Sequence, residues 1–303
     1  MNASGWSRIG RALLAGALLL WAGLAAAKGP LFLWELRDGE GTLRAWLYGT
    51  IHVCDATCFP LPADVRAAFA GADSLALELD PDDPGLTRLL MQAARLPAGE
   101  RLDDILPPAL RPRVALAMDR LGLPQAVLQG MQPWMVSTLL TLKAAERAGY
   151  GAGQGIDLSL ARDARARGIE LWALERVEQQ VAALSAGGDK AQVAYLTEVV
   201  SLIEDAAAPE YFAAMLHAWR TGDVAEIDRI LREESGGPDA APLLEALLDA
   251  RNVEMAEAIE RGLKPGRRPF IAVGAGHIGG KGGLLEILAA RGYALRQVHD
   301  AND

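Results

Sequence analysis

Short apolar runs rich in β-branched or aromatic residues recur along the chain, each bounded by glycine, proline or charge. That pattern predicts five or six β-strands: Leu31 to Leu36, Leu43 to Tyr48, Ser74 to Leu79, Ile169 to Leu174, Pro269 to Val273 and Tyr293 to Val298. Between the third and fourth runs, and again between the fourth and fifth, the apolar positions switch to helical spacing. Examples are "PALRPRVALAMDRLG", "PWMVSTLLTLKAAERAG", "AQVAYLTEVVSLIEDAA" and "APLLEALLDARNVEMAEAIERGL". Strands alternating with such stretches predict an α/β fold with a mixed β-sheet and long helical excursions covering it. No Ser/Pro linker or charge block divides the chain, so the expectation is a single domain over residues 28–303 with helical insertions at about 81–150 and 177–265.

The N-terminus breaks the pattern. Arg8 and Arg11 precede a run from Ala12 to Ala26 interrupted only by glycines, and Ala25, Ala26 and Ala27 precede Lys28. This is the layout of a cleaved signal peptide over residues 1–27, because the apolar stretch falls short of the roughly 20 residues a membrane span needs. A periplasmic or secreted protein is expected; retention by the uncleaved segment as a membrane anchor is the alternative. Loss of that segment removes two arginines and no acid, making the formal charge of −9 more negative still. An acidic chain lacks the basic face that nucleic acid or an anionic membrane surface requires, so neither is an expected partner. The sequence sets no oligomeric state.

Two cysteines are present, Cys54 and Cys58. In an oxidising compartment an even count at short spacing points to one local disulfide. The competing idea, zinc held by Cys54, Cys58 and His52, lacks the second ligand pair that structural zinc sites use.

The predicted strands deliver a repeated kind of residue at their C-terminal ends. "RAWLYGT" leads to His52, "SLALE" ends in Glu78, "IELWALE" ends in Glu175, and "PFIAVGAG" leads to His277. In open α/β sheets ligands bind beyond those strand ends, so the four side chains are placed to converge. Both histidines also follow a glycine by three residues, in "GTIH" and "GAGH", where a glycine allows a sharp turn and close backbone approach. His217 and His299 lack this context.

Two further positions stand out. Leu244, Leu248, Met255 and Ile259 form an apolar stripe whose missing middle member is Arg251 or Asn252, which aims a cation or an amide inward; a side chain snorkelling at the stripe's edge is the structural alternative. Asp157 follows the glycine-rich "GYGAGQGI", which has neither the preceding strand nor the Gly-Lys-Ser/Thr of a phosphate loop. An aspartate there reads first as the N-cap of "LSLARDARARG".

The segments "LWELRDGEGTLRAWLYGTIHV", "FPLPADVRAAFAGADSLALELD", "GIDLSLARDARARGIELWALERVEQQ", "RNVEMAEAI" and "FIAVGAGHIGGKGGLLEILAARGYALRQV" together resemble, in order, the TraB/PrgY/GumN-type family, which also includes the Tiki metalloproteases. The resemblance implies a Tiki-like fold, related to the erythromycin esterases. It implies that His52, Glu78 and His277 carry the site, with Glu175 and the pair Arg251 and Asn252 in support. A similar Gly-Ile-Asp in the family adds Asp157. It also implies a divalent metal, manganese or cobalt ahead of zinc, and a peptide or protein substrate.

The residues suit that chemistry. Neutral imidazoles and a carboxylate can hold a cation that activates water and polarises an amide carbonyl, and a second carboxylate can serve as base. On this reading His52 and His277 are ligands, Glu78 a third ligand or base, Glu175 an orienting group or base, and Arg251 a polarising donor. Two other readings share the same residues: a metal-independent hydrolase with a histidine general base, and a non-catalytic periplasmic protein that binds a metal, haem or a peptide signal.

Overall fold

The computed structural model describes residues 29–233 and 237–300; the expected signal peptide lies outside them. The six predicted strands form one sheet: β1 (Pro30–Arg37), β2 (Leu43–Thr50), β3 (Ser74–Leu77), β4 (Glu170–Ala173), β5 (Phe270–Gly274) and β6 (Ala294–His299). Their order is β4-β3-β5-β2-β1-β6. The block β4-β3-β5-β2 is parallel, whereas β1 runs antiparallel to both of its neighbours, β2 and β6. The sheet is therefore mixed, as the strand pattern predicted.

Burial explains the pattern of the runs. Every residue of β3 and β5 is buried, and both read as continuous apolar stretches because parallel central strands are covered on both faces. The end strands β4 and β6 are half open to solvent. β1 and β2 are joined by a turn in which Asp38 Oδ1 accepts from the backbone N–H groups of Glu40 and Thr42.

Between β3 and β4 lie the helices Leu86–Ala93, Arg111–Leu121 and Pro133–Arg147, among shorter pieces, and Ile156–Arg167 then returns the chain to the sheet. Between β4 and β5 the chain makes a longer excursion that includes Val177–Leu184, Gly188–Glu204, Ala208–Arg220 and Val224–Glu233 and ends in Ala250–Gly262. The two excursions pack together on a core of their own, with Leu140, Leu196, Val200 and Phe212 among its members. That second core meets the sheet core at Val53 and Tyr150, which pack against both. Val53 follows His52 directly, so this first Gly-x-x-His segment lies on the seam between sheet and helices.

Candidate active site

The pairing of β2 with β5 brings together residues more than two hundred positions apart. Gly49 is opposite Val273 and Thr50 opposite Gly274. Each strand then leaves the sheet at a glycine-containing turn, and both histidines emerge on the same side, beyond the strand ends. β3 lies on the other side of β5 and supplies Glu78 one residue past its end; Glu175, two residues past β4, follows through a backbone bond from its N–H to the Glu78 carbonyl at 3.1 Å.

His277 is held by one amide. Asn252 Nδ2 donates to the Gly282 carbonyl at 2.8 Å, which turns Oδ1 toward His277 Nδ1 at 2.7 Å. An amide oxygen can only accept, so Nδ1 carries the proton and Nε2 keeps a bare lone pair. That Nε2 faces Glu78 Oε2 at 3.8 Å. Burial holds the His277 pKa down, to about 4, and the charges of Arg251 and His52 act in the same direction against the opposing pull of Glu78. His277 is neutral at physiological pH.

His52 is the open member, with its ring 62 % exposed. Its Nδ1 lies 3.3 Å from Asp157 Oδ1, in the first turn of Ile156–Arg167, where the Ile156 N–H also bonds the Ile51 carbonyl at 3.0 Å. Partial burial lowers the His52 pKa, but the Asp157 contact and the charges of Asp157 and Glu78 outweigh it and draw the value up to about 9. Solvent around the open ring screens this effect.

The carboxylates share one cation. Arg251 Nη2 reaches Glu78 Oε2 at 2.5 Å and also Glu175 Oε1, while its Nε donates to Glu175 Oε2 at 3.0 Å and its Nη1 to the Leu247 carbonyl at 3.0 Å. Glu78 Oε1 accepts from the Gly274 N–H at 2.6 Å. Burial alone would raise the Glu78 pKa, yet His277, Arg251, His52 and the Gly274 bond together hold it well below the usual carboxylate range. At Glu175 burial prevails over Arg251 and the shift is upward. One carboxylate is firmly anionic; the other is kept from charging freely.

These groups enclose a small space. A Cβ added to Gly274 would lie 3.1 Å from Glu78 Oε1, 3.3 Å from His52 Nε2 and 3.7 Å from His277 Cδ2. Beside it, Asp157 Oδ1 is a buried oxygen with no hydrogen-bond partner of good geometry, its contact to His52 Nδ1 being one of proximity and charge. His277, its Nδ1 tied back by Asn252 and its Nε2 turned to Glu78, and His52, its Nδ1 beside Asp157 and its Nε2 near Gly274, stand by one carboxylate, a donor set that suits a divalent cation. The three donors stand further apart than in a closed metal cluster. Among the described residues the group whose ligand atoms all lie within 4.8 Å of one another is Cys54, Asp55 and Cys58, and its two sulfurs are bonded to each other. The disulfide is present, so zinc ligation by Cys54, Cys58 and His52 is set aside: no thiolate remains to bind it.

Other sequence expectations fare variously. Asp157 is not the helix cap; Gly155 occupies that position and Asp157 falls inside the first turn, its carboxylate turned to His52. The stripe that offered Arg251 or Asn252 buries both. A π-helical turn, Glu245–Asp249, precedes them and adds a residue to the helix, so the facing cannot be counted at the α-helical period alone. Three supports escaped the sequence reading: the Gly274 N–H, the Gly282 carbonyl, and Trp219, whose indole N–H donates to the Gly49 carbonyl at 2.7 Å. A backbone donor leaves no mark in a sequence, and Trp219 reads as an ordinary apolar helix position.

A family model described as the TraB/PrgY/gumN family matches residues 32–297. The chain belongs to that family. Among curated proteins it is 24 % identical to Metalloprotease TIKI1 of Danio rerio over 87 % of its length and 62 % of the relative's. It is 25 % identical to Metalloprotease TIKI2 of the same fish (87 % and 60 %) and 24 % identical to human Metalloprotease TIKI1 (87 % and 61 %). The chain thus spans about three-fifths of the length of these relatives. No solved structure gives a significant match. No helix among the described residues is long and apolar enough to cross a membrane.

Proposed function

We propose that this member of the TraB/PrgY/gumN family is an exported, metal-dependent hydrolase of peptide bonds, with His52, His277 and Glu78 as the ligands of a divalent cation. The observation that carries the reading is the placement of two imidazoles about Glu78: Asn252 fixes the His277 tautomer with Nε2 3.8 Å from Glu78 Oε2, and His52, its Nδ1 beside Asp157, brings Nε2 to Gly274, whose N–H bonds the same carboxylate. Relatives named metalloproteases supply the substrate class. Hard carboxylate with borderline imidazole accommodates manganese, cobalt or zinc; the family resemblance puts manganese or cobalt first.

When bound, the cation supplies a water of lowered pKa and a Lewis acid for the amide carbonyl. The protein's own groups set the geometry. Glu78 Oε2 is the carboxylate oxygen facing His277, and Arg251 together with Glu175 keeps it there. Arg251 is so fully engaged that its role is to fix the two carboxylates rather than to travel to a substrate. Asp157 lies beside His52 Nδ1, and its negative charge offsets that of the ring when both nitrogens are protonated.

A metal-independent hydrolase has one observation in its favour. The His52–Asp157 pair, with carboxylate at Nδ1 and Nε2 open, is the arrangement of an oriented general base. Elemental analysis of purified protein, paired with cleavage of a peptide library with and without manganese, separates the readings. The expected result is about one metal per chain in the wild type, most of it lost in His52→Ala and in His277→Ala. The double variant should show little further loss, because members of one site are non-additive. Equal metal content in wild type and both single variants overturns the shared site; cleavage that persists without metal favours the general-base reading, and metal without cleavage a binding protein.

A further inference from the structure

Glycine fills four of the five positions from 279 to 283, just past His277. The neighbours of that loop explain why. Gly280 and Gly282 hold φ values of +76° and +77°, which side chains rarely adopt. A Cβ on Gly279 would run into Val224 and one on Gly280 into the Asp228 carboxylate, while one on Gly282 would touch Asp249 at 3.7 Å. Val224 and Asp228 belong to the helix Val224–Glu233, and Asp249 closes the π turn Glu245–Asp249. Arg232, one helical turn beyond Asp228, joins the two. Its Nε donates to Asp228 Oδ1 at 2.7 Å, and its Nη1 and Nη2 fork onto Asp249 Oδ2 and Oδ1 at 3.2 and 2.6 Å. A planar guanidinium bonded in this way fixes direction as well as distance.

Both of the pieces so joined lead into the site. Within the π turn the Leu247 carbonyl accepts from Arg251 Nη1 at 3.0 Å. Three residues past Asp249, the Asn252 amide spans the Gly282 carbonyl and His277 Nδ1. The bonds therefore form a ring. It runs from Arg232 to Asp249, through the π turn to Asn252, across to the His277 loop, and back through Gly280 to Asp228, the other partner of Arg232. The same pair of helices also braces the first histidine segment: Trp219, which bonds the Gly49 carbonyl, lies in Ala208–Arg220, and that helix runs on through Gly222 into Val224–Glu233.

We infer that Arg232 is a positioning residue for the site: from outside it, the guanidinium locks the π turn that carries Arg251 and Asn252 to the loop that follows His277, and so holds the His277 ring in register. This rests on His277 and Asn252 belonging to the working site. It deepens the proposed function by naming the group that keeps their geometry.

The test compares the wild type with Arg232→Met and, as a control, Arg113→Met. The control breaks another forked pair, Arg113 with Glu204, which lies within the second helical core. The first readout needs no metal. In chains with ¹⁵N-labelled histidine at pH 7, the His277 signals, assigned by their loss in His277→Gln, report which ring nitrogen carries the proton. The wild type and Arg113→Met should show one protonated Nδ1 and one bare Nε2, whereas Arg232→Met, still folded, should show the two tautomers averaged. The second readout is calorimetry with manganese chloride. Arg232→Met should bind at least about tenfold more weakly than the wild type, the penalty for releasing the orienting partner of a ligand, and Arg113→Met should not. If Arg232→Met does not fold, Arg232→Lys keeps the charge, loses the fork and should move both readouts in the same direction. A purely structural arginine would lower the melting temperature and leave the His277 signals unchanged, which overturns the inference. So does a wild type whose His277 is already a mixture of tautomers, or an Arg113→Met that shifts the signals as much. A fixed tautomer in the wild type, averaged in Arg232→Met, with manganese bound by neither, refutes the metal site and keeps the clamp; manganese bound alike by both does the reverse.

Discussion

Asn252 spends both ends of its amide inside the protein, donating to Gly282 and accepting from His277. Asn252→Ala strands a buried imidazole N–H and a carbonyl at once, and the expected cost is about 1–3 kcal/mol per group, read by chemical denaturation. Metal affinity, read by calorimetry, should fall about 10–100-fold, the usual penalty for removing the orienting partner of a ligand. A loss of stability with metal affinity intact would show that Asn252 serves only the fold. His52 supplies a pH dependence. Its pKa, lowered by burial but lifted more strongly by Asp157 to about 9, means that at neutral pH the ring carries a proton which a cation must displace. Affinity should therefore rise with pH up to about 9, by roughly tenfold per unit for one proton, and calorimetry in buffers of different ionisation enthalpy should find about one proton released per metal at pH 7. Release of none would place His52 as neutral before binding. At this scale the histidines and glutamates were visible in the sequence because strand ends and glycines frame them. What Asp157 does was not, since the direction of a carboxylate in a helix's first turn depends on what packs beside it.

The two Gly-x-x-His segments look alike in sequence, yet their glycines answer to different neighbours. A Cβ on Gly49 would meet the Phe32 ring at 2.3 and 2.7 Å, inside the core, so Gly49→Ala is expected to cost about 1–3 kcal/mol in stability through overpacking. A Cβ on Gly274 instead enters the space bounded by Glu78, His52 and His277. Gly274→Ala should fold with a smaller penalty and lose metal. Thermal melting and elemental analysis of the two variants, measured together, check the contrast; an equal effect on both readouts at both sites would contradict it. The loop after His52 is tied in three ways. Cys54 is bonded to Cys58 and exchanges backbone hydrogen bonds with Gly151 at 3.3 and 2.8 Å, while Arg220 reaches Asp55 at 3.4 Å and also Thr57. Thiol titration of unreduced, denatured protein should find no free thiol. Reduction should cost less than the roughly 3 kcal/mol of a longer closure, because so short a loop restricts the unfolded chain little. Strands were the most legible elements: all six lie within two residues of their predicted bounds, since short apolar runs between charges have few other uses. The π turn before Arg251 was not legible, as one extra residue in a helix leaves the composition unchanged.

Across the whole molecule, the alternation of strands and helical stretches announced a mixed α/β sheet, but strand order could not be read from it. Pairing is decided by which faces of which helices cover the sheet, and those contacts span hundreds of residues. The second helical core, and the seam at Val53 and Tyr150 where it meets the sheet, belong to the same class of long-range fact. So does the open edge of β4, which in sequence is one more apolar run. The place of β5 carries a consequence for how the protein comes into being. It is the fifth strand to be synthesised and the sheet's inner link, with β3 on one side and β2 on the other. A nascent chain that stops short of Phe270 holds a β1–β2 pair and a β3–β4 pair with no ladder between them. Such a chain has His52 and Glu78 on separate pieces and no His277. The proposed site is therefore completed late and in one step: the strand that zips the two halves together also brings the second imidazole.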